Sequence, residues 1–112
     1  MYALKTCLAV LAATCLTATF SAAMASPNQP DIVIKSDHFQ PATLSIASGE
    51  RVKLMVANRS NRPAEFEGSD FTVEKVIPSG TTLPVYIGPL NAGTYHFFND
   101  FSPSVKGTLK VK

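Results

Sequence analysis

RVKLMVAN, residues 51–58, is the stretch on which the fold turns. Val52, Leu54 and Val56 fall on one side of an extended chain, and Arg51, Lys53 and Met55 fall on the other. That period of two is the mark of a half-buried antiparallel strand, apolar toward a core and basic toward water. Outward from it, the chain offers more pieces of the same kind: IVIK (32–35), TLSIA (43–47), FTVEKVI (71–77), TLPVYI (82–87), TYHFF (94–98) and GTLKVK (107–112). Turn chemistry separates them, at Gln40-Pro41, Ser48-Gly49, residues 58–63, Pro78-Ser79-Gly80, Gly88-Pro89 and Asn91-Ala92-Gly93. No segment keeps a helical period over more than two turns. Seven short strands at regular spacing predict an all-β fold, a Greek-key β-sandwich.

The first 25 residues stand apart from this pattern. MYALKT carries one lysine, an apolar run follows, and Ala23-Met24-Ala25 supplies a small-x-small cleavage signal. This is the layout of a secretory signal peptide cut before Ser26, which implies an exported protein. A single transmembrane anchor is the alternative, but Thr and Ser interrupt the run and it is short for a span. A lipoprotein cut at Cys15 is weaker still, because the apolar segment continues beyond it. Removal of the signal leaves 112 − 25 = 87 residues. They divide into a Pro-containing leader (26–31) and one small domain (32–112).

Cys7 and Cys15 both lie in the signal, so the exported domain has neither disulfide nor thiolate ligand. Lys5 leaves with it, and nine basic against eight acidic residues remain. The basic residues are scattered without an aromatic stripe, which excludes nucleic acid as a partner. No nucleophile elbow, P-loop or dinucleotide fingerprint occurs, so hydrolytic and nucleotide chemistry are poor fits.

AEFEGSDF (64–71) holds the first candidates for chemistry. If extended, Glu65 and Glu67 share a face while Phe66 points to the other, with about 7 Å between the two acidic positions. Water can screen such a pair on a strand edge, where paired acids deter association. A cation held by both is the other answer. Spacing alone favours water. His96, Phe98 and Asp100 also alternate onto one face, although a bend at Asn99 would break the pattern. His38 lies in the first loop, and Asp70 and Glu74 are outer carboxylates. Met55 reads as packing rather than as a ligand.

Three stretches together resemble a cupredoxin. They are DHFQPATLSIASGE (37–50), with its D-x-F-x-P and G-E; VKLMVAN (52–58), a strand ending in Asn; and GTYHFFNDFSPSVKGTLKV (93–111), with G-x-Y-x-F. The blue-copper ligands of that family are absent. Asn99 stands where the cysteine belongs, Ser102 where the histidine belongs, and no methionine follows Met55. Without a thiolate there is no soft ligand for trigonal copper.

RPAEFEG (62–68) is similar instead to the Glu-aromatic-Glu element of cupredoxin-like domains in bacterial ferrous-iron uptake systems, which work beside a high-affinity iron permease. Val73-Glu74 through Gly80 and the L-x-x-G-x-Y of residues 90–95 extend the likeness. Some members carry cysteines in the first and last loops, where this chain has Phe39 and Asn99.

The resemblance implies a metal site of Glu65 and Glu67 completed by His96 and Asp100, with His38 in second rank and Phe66 anchoring the loop in the core. Carboxylates with imidazole form a hard, anionic site suited to Fe(II), Fe(III), Mn(II) or Cu(II) rather than Cu(I), with zinc open. The implied function is capture and oxidation of Fe(II) in the periplasm for an inner-membrane iron permease and other uptake components, with iron and/or copper ions bound. A copper-binding or storage domain without turnover, and a metal-free docking module, are the alternatives. A homodimer sharing carboxylates between chains would have the same sequence.

Overall fold

The computed structural model describes residues 29–112. The expected signal, its cleavage point, the anchor and lipoprotein alternatives, and the start of the leader lie outside them. Among the described residues no helix is long and apolar enough to cross a membrane. The described residues form nine strands and one 3₁₀ turn: β1 (Ile32–Ile34), β2 (Phe39–Gln40), β3 (Thr43–Ile46), β4 (Val52–Asn58), β5 (Ala64–Gly68), the turn Ser69–Phe71, β6 (Val73–Ile77), β7 (Thr82–Ile87), β8 (Gly93–Asn99) and β9 (Ser102–Val111). They build the expected β-sandwich. One sheet runs β2-β1-β4-β7 and the other β3-β9-β8-β5-β6.

The opening stretch is the middle of the first sheet. β4 pairs antiparallel with β7 from Val52↔Ile87 to Ala57↔Thr82, and parallel with β1. Leu54 and Val56 are buried, Lys53 is exposed and Met55 is half-buried, as alternation requires. Asn58 ends the strand inside the protein, at 1% exposure. Its amide nitrogen donates to the carbonyls of Ile77 and Arg62, both at 2.8 Å, and its carbonyl accepts from the Ser60 N–H at 3.0 Å. A buried amide satisfied this way ties the β4–β5 loop to β6.

Three elements differ from the sequence expectation, the first being the two-residue strand β2, which lies in the expected first loop and pairs with β1. Residues 64–68, expected as a loop anchored by Phe66, form strand β5, paired with β6 along its length and with β8 at Phe66↔Asn99 and Glu67↔Phe98. Five residues with two acids carry too little apolar signal to be read as a strand, and pairing on both sides supplies what propensity does not. β9 begins at Ser102, five residues before the expected start at Gly107. Between the sheets, Phe39, Phe66 and Phe97 meet: Phe66 stacks on Phe97 at 5.1 Å between centroids, and Phe39 meets Phe97 edge-on at 4.8 Å. Gly107 lies opposite Phe97 on β9, and an added Cβ would sit 2.2 Å from that ring. The glycine leaves the space that the aromatic fills.

Candidate metal centre

β5 is positioned by its inward residues. Ala64 and Phe66 are fully buried, which turns Glu65 and Glu67 to the opposite face of the sheet. The β8–β9 turn then closes over one end of the strand. The Asp100 N–H donates to the Glu65 carbonyl at 2.9 Å. The side-chain carbonyl of Asn99 accepts from the Glu65 N–H at 3.0 Å and from the Phe101 N–H at 3.2 Å. Glu65 is thereby left only 7% exposed.

The result is a group of three carboxylates. Glu65, Glu67 and Asp100 each offer an oxygen, and the three oxygens lie within 4.8 Å of one another. A fourth acid borders them, since Glu74 of β6 stands directly opposite Glu67 in the antiparallel register. Like charges directly opposite on paired strands repel. The only ion pair among the described residues is His38 with Asp37, at 2.6 Å, so no basic side chain neutralises the cluster. The Oε1 of Glu65 is buried without any hydrogen-bond partner. Such a group is costly unless a proton or a cation satisfies it.

The titration of the cluster reflects that cost. Hydrogen bonding with the Glu74 carboxyl, then burial, then the charges of Glu74, Asp100 and Glu67 push Glu65 up to about 7 from an ordinary 4.5. Burial first, then Asp100 and Glu74, also raise Glu67. Carboxylates held at raised values in one cleft mark a candidate functional site.

Of the residues singled out in the sequence, the structure brings together Glu65, Glu67 and Asp100. His96 is exposed and pairs with Thr108, and it lines a separate shallow depression with Thr43 and Lys106. The register of β8 shifts between Phe98 and Asn99. Asp100 is carried over β5 by that turn, whereas His96 remains about 10 Å back along the strand from Asn99. His38 is exposed with its Nδ1 on Asp37, and this contact holds Asp37 below the usual carboxylate range. Asp70 is exposed in the 3₁₀ turn. Met55 is half-buried in β4. Glu74 gains weight over the sequence reading, because only the β5–β6 register puts it across from Glu67.

The donor set does not fit a blue-copper ion. Asn99, where the resemblance to cupredoxins expects a cysteine, uses its side-chain carbonyl to hold two backbone N–H groups. What converges beside it is carboxylate oxygen alone, a hard donor set of the kind that suits oxygen-seeking divalent cations rather than Cu(I). Metal–oxygen bonds of about 2.1 Å place neighbouring ligand oxygens about 3 Å apart, so small side-chain rotations would close the group on one ion.

Comparison with known proteins agrees with this architecture. Residues 7–111 match the family model of the cupredoxin-like domain. An uncharacterized protein of Rickettsia prowazekii (strain Madrid E) is 29% identical over 70 residues, 62% of this chain and 56% of the relative. The match thus spans little more than half of that relative's length. Among solved structures, the purple cupredoxin from Nitrosopumilus maritimus is similar at a TM-score of 0.58 and 16% identity, over 75% of this chain and 100% of that one. Amicyanin from Paracoccus versutus gives 0.58 and 16%, over 79% and 85%. The metal-binding domain of a Cu(I)-exporting P-type ATPase of Streptococcus pneumoniae, solved with Cu(I), gives 0.59 and 18%, over 71% and 84%. At these identities the likeness is one of fold.

Proposed function

The chain belongs to the cupredoxin-like domain family, and on that premise we propose that it is a periplasmic protein that captures ferrous iron at Glu65, Glu67 and Asp100. One observation carries the reading: the buried, unpartnered carboxylate oxygen of Glu65 within a three-acid group that no basic side chain balances. A divalent cation supplies both the missing partner and the missing charge. Anionic oxygen donors favour Fe(III) over Fe(II), because the higher charge interacts more strongly with the same ligands. Oxidation of captured iron would therefore be easier, four ferrous ions giving one electron each to one dioxygen, which with four protons leaves as two waters. The half-exposed Glu67 and exposed Glu74 form the open side through which iron enters and leaves. The recipient is an inner-membrane iron permease, reached with other components of the uptake system.

The test is a titration of metal-depleted protein with Fe(II) under anaerobic conditions. Stoichiometric binding is expected, with loss of most affinity in Glu65→Gln combined with Glu67→Gln. Unchanged binding in that double variant would refute the site. On admission of air, oxygen uptake faster than that of Fe(II) alone supports oxidation.

Copper storage is the second reading, favoured by the fold's likeness to a domain solved with Cu(I). Oxygen donors make Cu(II) the copper ion expected there, bound without accelerated oxygen uptake. Fractionation for the periplasm, and co-purification with a permease, test location and partner.

A further inference from the structure

Asn99 and Phe101, which flank Asp100 in the chain, also line a cleft of opposite character. Its volume is about 270 Å³, and Lys35, Arg62, Asn61, Asn99, Phe101 and Ser102 are among its walls. No carboxylate lines it. Neither Lys35 nor Arg62 forms an ion pair among the described residues. The two cations come from different loops, Lys35 from the end of β1 and Arg62 from the β4–β5 connection.

These loops are pinned rather than free. The Arg59 N–H donates to the Ile34 carbonyl at 2.9 Å, joining the two connections at their bases. The Arg62 carbonyl accepts from the buried Asn58 amide at 2.8 Å. Ser79 Oγ donates to the Ser60 carbonyl at 2.6 Å. Asn99 is held in turn by the backbone N–H groups of Glu65 and Phe101. The backbone that carries the two unpaired cations is thereby held in place, which lowers the ordering cost of binding an anion there.

We propose that this cleft binds a small polycarboxylate anion. The volume is near the lower end of small-molecule pockets, about 300 Å³, and larger than one tetrahedral oxyanion needs. A ligand with two anionic groups can meet both cations, one from each loop, within that volume. Phe101, 55% exposed, presents an apolar wall to the carbon skeleton between them. Asn61, Asn99 and Ser102 add polar side chains to the wall.

The experiment is calorimetric titration of the purified protein in metal-depleted buffer with citrate, and separately with acetate and inorganic phosphate. Citrate is expected to bind saturably, at least about tenfold more tightly than acetate or phosphate. Lys35→Gln and Arg62→Gln should each weaken citrate binding by about tenfold or more, the range of a charge-assisted contact. Lys53→Gln, an exposed lysine on β4, should not. Circular dichroism confirms that each variant is folded. The proposal is overturned if citrate shows no saturable binding, if phosphate binds equally well, if the Lys35→Gln and Arg62→Gln double variant keeps its affinity, or if Lys53→Gln weakens binding as much. Because metal is removed, the outcome is independent of the carboxylate site.

Discussion

Replacing Asn99 with alanine tests whether the turn over β5 is held by one side chain. In the native protein its carbonyl accepts from the Glu65 N–H at 3.0 Å, inside a residue 7% exposed, and from the Phe101 N–H at 3.2 Å. Alanine leaves both donors without that acceptor. The Glu65 amide is enclosed, and an orphaned buried N–H costs about 1–3 kcal/mol. The Phe101 amide lies beside an exposed ring, where water can replace the lost carbonyl, so it adds little. A loss near 2 kcal/mol in a domain of this size lowers Tm by about 8–16 °C. The same change frees the turn that carries Asp100, so Fe(II) affinity should fall although no carboxylate has been removed. Asn99→Asp keeps an acceptor oxygen in place but adds a charge beside three acids. Its stability loss should therefore shrink toward acid pH, while that of alanine should not. Thermal unfolding followed by circular dichroism in metal-depleted buffer, paired with a metal titration, reads both effects. A drop in Tm below about 3 °C for Asn99→Ala, with metal affinity intact, would refute the reasoning.

Raised carboxyl values in the folded state mean that the native protein holds protons which the unfolded chain has already released. Stability of the metal-free protein should thus fall as pH rises from about 4.5 to about 7 and level off above, and urea denaturation across that window should show the slope flattened in Glu65→Gln. Phe66→Ala removes a fully buried ring stacked at 5.1 Å on Phe97, and equilibrium unfolding should register a loss of about 3–5 kcal/mol. Gly107→Ala drives a methyl into the Phe97 ring, which is itself 1% exposed, and the displaced ring should cost about 1–3 kcal/mol with altered aromatic shifts in the NMR spectrum.

Much of the architecture was legible because strands announce themselves locally. Alternation in residues 51–58 placed Leu54 and Val56 inside, and the turn residues spaced the neighbouring strands correctly. β2 is too short for a period to show, and in β5 the two glutamates dilute the apolar signal while its stability comes from partners on both sides. Within the site, the shared face of Glu65 and Glu67 followed from the two-residue period alone. The inclusion of His96 followed from the same rule carried past Phe98, where the register shift breaks it.

By itself, then, the amino-acid sequence determined the sandwich, the lack of any cysteine among residues 29–112 and the pairing of two acids around a core phenylalanine. Each is a matter of composition or of a period spanning a few residues. Only the tertiary structure decided what joins those acids. Asn99 reaches the Glu65 amide from 34 positions away, bringing Asp100 with it, and cross-strand register sets Glu74 opposite Glu67. Strand register depends on pairings between distant segments, and a one-residue slip would turn every one of these side chains to the other face.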